Sequence, residues 1–276
     1  MKRKLLSFVL AIAVVSANDA CAMMAEHICG SVESFVQQMN TRAAELGMTD
    51  TQFLDTSGLN DAAYSSAHDV AVMSRALMQF PLIKEFTTIW MDTLRDGKSQ
   101  LVNTNRLIRH YPGATGLKTG TTAAAGHSLS ATAERDGVAF VAVILGCSST
   151  AERFGGARKM LDFGFANFAV VKPALDMSLM VPVKVLRGME SKVSVYPGNI
   201  RPMLVRKGQE KDLSVTVELA ADVEAPVLKD QTVGKIVVSM GTEVVAEYDV
   251  RAAYAVPRIG FGLALRRLWG ALVGIQ

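Results

Sequence analysis

Two short runs hold the residue types best able to do chemistry together. Gly116-Leu117-Lys118-Thr119-Gly120-Thr121-Thr122 sets an ammonium and several hydroxyls among small residues. Read as an exposed strand, its Gly and Thr leave one face open while Lys118 places a positive charge beside it. An extended substrate can pair with such an edge and present its carboxylate to the lysine. Ser16-Ala17-Asn18 closes the first apolar run and adds a hydroxyl suited to proton relay and an amide suited to holding a peptide backbone. Either run alone is a weak signal.

The elements that must position these runs follow from periodicity. Apolar Ile28, Val32, Phe35, Val36, Met39, Ala43 and Leu46 recur at three- and four-residue steps, which predicts one amphipathic helix from Ala22 to Leu46, or two joined at Cys29-Gly30, with Gly47 as the stop. Thr51 to Tyr64 carries turn chemistry and reads as a surface loop. A further helix spans about Asp69 to Gln79, closed by Pro81. Gly116 to Thr122, Ser128 to Glu134 and Val138 to Leu145 read as strands, the last two joined by a hairpin at Arg135-Asp136-Gly137. Val138 to Leu145 is almost continuously apolar, which predicts a central strand. A helix follows from about Thr150 to Phe168. Helices on an antiparallel sheet give an α+β layer architecture.

Beyond Lys172 short alternating strands recur: Met180 to Leu186, Lys192 to Val195, Leu213 to Leu219, Thr232 to Ser239 and Glu243 to Tyr248. Their spacing predicts a small all-β domain. In the last segment Phe261, Leu265, Leu268, Trp269, Leu272 and Ile275 share one side of a helix, with Arg258, Arg266 and Arg267 near its start and middle. That reads as an in-plane amphipathic anchor or as a terminal helix docked on its own domain. The expected domains are therefore 1–171, 172–257 and 258–276.

At 276 residues, half of them hydrophobic and 20% charged, the chain is long enough for one large or two moderate cores. A net charge of +3 without basic runs interleaved with aromatics argues against nucleic acid as a partner. Cys21, Cys29 and Cys147 have no metal-ligand spacing and read as small buried thiols, so neither metal nor cofactor is expected. Lys2, Arg3 and Lys4 before the apolar run Leu5 to Val15, with Ala20-Cys21-Ala22 beyond, read either as a secretory signal or as a helix of the folded domain.

Serine acyl-transfer enzymes with a Ser-x-x-Lys nucleophile place an S-x-N element and a K-T-G strand on opposite sides of their site. Both occur here in that order. The sequence resembles the low-molecular-mass penicillin-binding proteins, the serine-type D-alanyl-D-alanine carboxypeptidases of peptidase family S11. The resemblance runs through Val15-Ser16-Ala17-Asn18-Asp19-Ala20-Cys21, Phe53 to Leu59, Ser66 to Ala71, Asn103-Thr104-Asn105-Arg106-Leu107 and Gly113 to Thr122. It continues through Ala125-Gly126 and Ala157-Arg158-Lys159, and the β-domain and tail extend it over nearly the whole chain. It favours the domain-helix reading of the amino terminus, because the match begins at Val15 without a gap.

The resemblance implies a partial penicillin-binding/β-lactamase-like transpeptidase domain, followed by the β-domain and an amphipathic membrane anchor. The implied substrate is a peptidoglycan stem peptide ending in D-Ala-D-Ala, cleaved through an acyl-serine at the extracytoplasmic face of the inner membrane. β-Lactam antibiotics are implied ligands of the complete family member. Ser16 and Asn18 would serve proton relay and the substrate amide. Lys118, Thr119, Gly120 and Thr121 would form the carboxylate-binding edge. Arg153 stands where the family has an arginine near the substrate carboxylate, although by itself it also reads as a solvated helix-start residue. His68 and His127 read as structural, and Asp19 as a helix-associated polar contact.

One departure limits the expectation: no serine of the chain has lysine three positions later. The chain looks like a family member without the front of its catalytic domain, and by itself is expected to be inactive. The alternatives are a non-catalytic peptidoglycan-binding or envelope scaffold protein and an inactive gene fragment.

Overall fold

Glycine and serine punctuate the helical first part of the chain. The computed structural model describes residues 2–95 and 97–273, the side chains of residues 2–4, 267–268 and 270–273 lying outside the described residues. Helices α1 (Lys2–Val15), α2 (Asn18–Cys29) and α3 (Val32–Glu45) follow one another. The break between α2 and α3 falls where Gly30 turns left-handed at φ 80° and the Ser31 hydroxyl accepts from the Ser34 amide as N-cap. Of the two readings of this stretch, the two-helix one is observed. Helix α4 (Ala67–Leu77) is capped in the same way by Ser66, and α5 (Pro81–Thr87) starts at a proline, which lacks only a donor that the first turn leaves unused. A hairpin of β1 (Met91–Leu94) and β2 (Ser99–Val102) and the short α6 (Leu107–His110) lead into the sheet.

That sheet has the antiparallel order β3 (Ala114–Thr122), β4 (Gly126–Arg135), β5 (Val138–Cys147), and α7 (Thr150–Asn167) packs behind it. The turn between β4 and β5 holds Asp136 and Gly137 at φ 51° and 76°, the pair of positive values that an Asp-Gly hairpin supplies. The KTG strand β3 is an edge, as expected, but it is open only at its end: Leu117 and Thr119 are buried while Gly120 and Thr121 are exposed. The expectation of a central Val138 to Leu145 is corrected, since β4 is central and β5 is the other edge of the described sheet. Its apolar run reflects cover on both faces. Phe140, Ala142 and Ile144 pack with Leu161 and Phe154 of α7, and Ala139 and Val141 face a cleft beside α4. Helix α1 is part of the same folded unit, with Leu10 and Val14 buried against Leu101.

The chain divides into compact units at Met1–Asn167 and Phe168–Gln276. Phe168–Val171 (β6), which the sequence reading assigns to the first domain, pairs with β10 in the second. The second unit continues with β7 (Val183–Leu186), β8 (Lys192–Val193), β9 (Val195–Pro197), β10 (Met203–Arg206), β11 (Leu213–Leu219), β12 (Asp222–Glu224), β13 (Thr232–Met240) and β14 (Glu243–Ala252). Its largest sheet runs β11-β13-β14-β9. Alternation places Val185, Val193, Ile236, Val238 and Val250 inside one apolar core. Helix α8 (Phe261–Val273) follows, with Phe261, Leu265 and Trp269 exposed. Of the other predicted anchor residues, Arg258 instead pairs with Glu224, while the side chains of Arg267, Leu268 and Leu272 and all of Ile275 lie outside the described residues. Among the described residues no helix is long and apolar enough to cross a membrane.

Candidate active site

Helix α1 ends in a turn that aims its last polar side chain at β3. The Ala17 amide reaches back to the Ala11 carbonyl, and Ser16 takes the left-handed conformation at φ 60°. Glycine is the usual residue there, because a Cβ is disfavoured at positive φ. Serine accepts that backbone strain and places its hydroxyl next to the lysine of β3. Lys118 Nζ donates to Ser16 Oγ at 2.7 Å and to the Thr119 carbonyl at 2.7 Å. Two motifs 102 residues apart in sequence thus meet in one hydrogen bond. Because the ammonium occupies a lone pair of Ser16 Oγ, the hydroxyl proton must point away from Lys118. The neighbouring charge also makes that proton easier to give up.

Arg153 comes from the first turn of α7. A cation there opposes the helix dipole, so the position does little for the helix itself. Its guanidinium instead reaches back to the sheet: Nη1 donates to the Gly120 carbonyl at 3.0 Å, to Thr121 Oγ1 at 3.0 Å and to the Ser128 carbonyl at 3.3 Å. At 7% exposure, the solvated reading of Arg153 is corrected. Its Nε is buried without a hydrogen-bond partner. Burial lowers the pKa of both cations from their ordinary values. Arg153 lowers that of Lys118 further, and only an ionised Cys21 would offset this; Arg106 does to Arg153 what Arg153 does to Lys118. Neither Lys118 nor Arg153 has an acidic partner among the described residues. One buried and one half-buried cation, both unneutralised, along one strand edge make a site for an anion.

The remaining predicted residues divide. Thr121 Oγ1 donates to the Gly120 carbonyl while accepting from Arg153, at the exposed end of β3. Thr119 is buried and its hydroxyl donates to Thr104 Oγ1 at 2.7 Å. Asn18 and Asp19 open α2 and are exposed; the Asp19 carboxylate accepts from the Ala20 amide. The structure therefore brings Ser16, Lys118, Thr121 and Arg153 together, whereas the Asn18 side chain makes no hydrogen bond among the described residues. His127 sits beside Thr121 and Thr150, at 3.3 and 3.4 Å, and His68 is an exposed neighbour of Asp69.

Sequence reasoning passed over Cys21. The three cysteines are half-buried rather than buried, and Cys21 lies close enough to Lys118 for their charges to interact. Burial raises the Cys21 pKa and Lys118 opposes that rise, so the thiol form is favoured. Its position three residues after Asn18 was the available signal. The Asp55 carboxylate, itself held by a nest of backbone amides, was also missed. Burial pushes its pKa up, but the amides of Gly58, Asn60, Leu59 and Ser57 outweigh that and hold it below the usual carboxylate value.

Comparison with known proteins follows this geometry. Residues 1–149 match the D-alanyl-D-alanine carboxypeptidase family, and residues 176–258 match the C-terminal domain of penicillin-binding protein 5. The chain is 37% identical over 264 residues to the D-alanyl-D-alanine carboxypeptidase DacF of Bacillus subtilis (strain 168), covering 94% of this chain and 68% of DacF. The structure of penicillin binding protein 5 from Haemophilus influenzae is similar at a TM-score of 0.74 and 27% identity, covering 92% of this chain and 74% of that one. Penicillin-Binding Protein D2 from Listeria monocytogenes, in its cefotaxime-bound form, matches at a TM-score of 0.54 and 31% identity, over 58% of this chain and 66% of that one. The chain spans 68, 56 and 66% of the length of three curated relatives.

Proposed function

The chain belongs to the D-alanyl-D-alanine carboxypeptidase family, and from that premise we propose that residues 1–167 form part of a carboxypeptidase domain whose groove binds peptidoglycan stem peptides ending in D-Ala-D-Ala. The observation that carries the reading is a pair of cations, Lys118 and Arg153, without acidic partners among the described residues, with Lys118 bonded to Ser16. The terminal carboxylate lies at the exposed end of β3. It takes its charge compensation from Arg153 and Lys118, and accepts from Thr121 when that hydroxyl turns from the Gly120 carbonyl to the ligand. The peptide backbone pairs with the open edge of β3, as an added strand does. Asn18, exposed on the facing helix, is within reach of a substrate amide once the peptide fills the groove.

In the family reaction an activated serine attacks the peptide carbonyl, and the leaving D-Ala takes up a proton. Ser16 suits the relay of that proton, with Lys118 holding its oxygen. No serine of these residues is followed three positions later by lysine, so this chain alone binds the peptide and forms no acyl-serine of that type. The absence of that motif equally favours the non-catalytic binder as the activity of the chain by itself. Labelling with a fluorescent penicillin separates the two readings. The outcome expected is no covalent adduct on this chain, together with peptide binding that Lys118→Ala weakens; an adduct on one of its serines overturns the binder reading.

Helix α8 supports a peripheral place on the extracytoplasmic face of the inner membrane. Its exposed Phe261, Leu265 and Trp269 lie one turn apart, with Arg266 exposed on the same helix. Co-sedimentation with anionic vesicles, lost when Trp269 and Leu265 are both changed to Glu, is the check.

A further inference from the structure

The Asn103-Thr104-Asn105 loop touches both walls of the groove. Its two asparagines are buried and fixed. Asn103 Nδ2 donates to the Ile89 and Thr87 carbonyls, and its Oδ1 accepts from the Asn105 amide. Asn105 Nδ2 donates to the Gly116 carbonyl of β3, and its Oδ1 accepts from the Leu107 amide. Between them Thr104 is exposed and faces two ways. Its backbone amide donates to the Val14 carbonyl at 3.0 Å, two residues before Ser16, and its Oγ1 accepts from Thr119 Oγ1 at 2.7 Å, one residue after Lys118.

We infer that Thr104 is a positioning residue that sets the separation of the Ser16 and Lys118 walls and commits the Thr119 proton away from the substrate. The inference rests on the groove being a carboxylate site. The Lys118–Ser16 hydrogen bond also joins the walls, but a substrate carboxylate competes for the same ammonium. The Thr104 link involves neither the ammonium nor Ser16 Oγ, so it persists when Lys118 turns to the ligand. With its proton given to Thr104, Thr119 offers only lone pairs to the groove. Carboxylate recognition then falls to the charges of Lys118 and Arg153 and to Thr121, whose exposed hydroxyl can turn from the Gly120 carbonyl to the ligand, and a group that must accept a hydrogen bond is repelled from the Thr119 position.

Thr104 lies at the surface, so its variants test the link without opening a core. Thr104→Val keeps the shape and the backbone amide but removes the acceptor, whereas Thr104→Ser keeps the acceptor. Affinity for a tripeptide ending in D-Ala-D-Ala is expected to fall roughly five- to tenfold in Thr104→Val and to recover in Thr104→Ser, with an unchanged melting midpoint. Equal affinity in all three proteins overturns the inference. If the unaltered chain binds no such peptide, the carboxylate-groove reading fails instead, and spectra of the free protein decide the link. A shift of the Thr119 methyl and Lys118 ammonium resonances in Thr104→Val alone supports it, and unmoved resonances in both variants overturn it.

Discussion

The two units of this chain are built from different interiors. In the second, the buried residues are Val, Ile and Ala, so its stability comes from apolar area removed from water. In the first, the core is shared with buried polar groups: Asp69, Ser74, Thr87, Asn103, Asn105, Thr119, Ser130, Thr132 and Arg153. Most of them find partners in one another or in backbone groups near β3, as Ser74 does with Ser130 at 2.7 Å and Thr115 with Thr132 at 2.9 Å. Buried polar groups add little net stability, but they cost a great deal when left unpaired, so they fix one arrangement at the expense of alternatives. The first unit spends its interior on placing a strand edge. The second spends it on being a stable module.

The difference is sharpened most by core truncation. Ile236→Ala in the second unit, at a fully buried site, is expected to cost roughly 2–5 kcal/mol in chemical denaturation while leaving peptide affinity unchanged. A concurrent loss of affinity would break the separation of roles. In the first unit the corresponding change is polar. Lys118→Ala is expected to weaken binding of a D-Ala-D-Ala peptide about 10- to 100-fold, the value of a charge-assisted hydrogen bond, with little loss of stability. Asn105→Ala lies between these cases. It strands the Gly116 carbonyl and the Leu107 amide, so both stability and affinity fall, by roughly 1–3 kcal/mol in the former.

The smallest effects are titrations. Burial, aided by the bond from its hydroxyl to Asp162 Oδ1 at 2.7 Å, pushes the Tyr111 pKa up to about 12. A folded pKa raised above the unfolded value means a contribution present in full below about pH 10 and lost as pH rises towards about 12. Tyr111→Phe should remove that part of the alkaline loss of stability. Lys118, shifted the other way, binds a carboxylate only while protonated. Affinity should therefore decline on the alkaline side with a midpoint below the ordinary lysine value in the free chain.

The same contrast explains what the sequence made readable. The second unit follows binary alternation, and its main strands, Leu213–Leu219 and Thr232–Met240 among them, are visible as period-two patterns. In the first unit the helix joint at Cys29-Gly30, the Asp136-Gly137 hairpin and the β3 edge were legible because each depends on neighbouring residues. The link between Ser16 and Lys118 was legible only through motif order. The clasp at Thr104 and the reach of Arg153 to Gly120 were not, since each depends on a partner 15 or 33 residues away; nor was the left-handed turn at Ser16, because serine is not the residue usual at positive φ. The edge position of β5 was hidden for a related reason: apolar composition reports burial on both faces, and helix packing provides that as well as neighbouring strands do.

The central claim is that the charges of Lys118 and Arg153, unneutralised by any acidic partner among the described residues, serve a substrate carboxylate. It is tested most directly by titrating the chain, by calorimetry, with a D-Ala-D-Ala tripeptide as the free acid and as the C-terminal amide. The account predicts binding of the acid, at least tenfold weaker binding of the amide, and no difference between the two in Lys118→Ala. Equal affinity for acid and amide in the unaltered chain would contradict it.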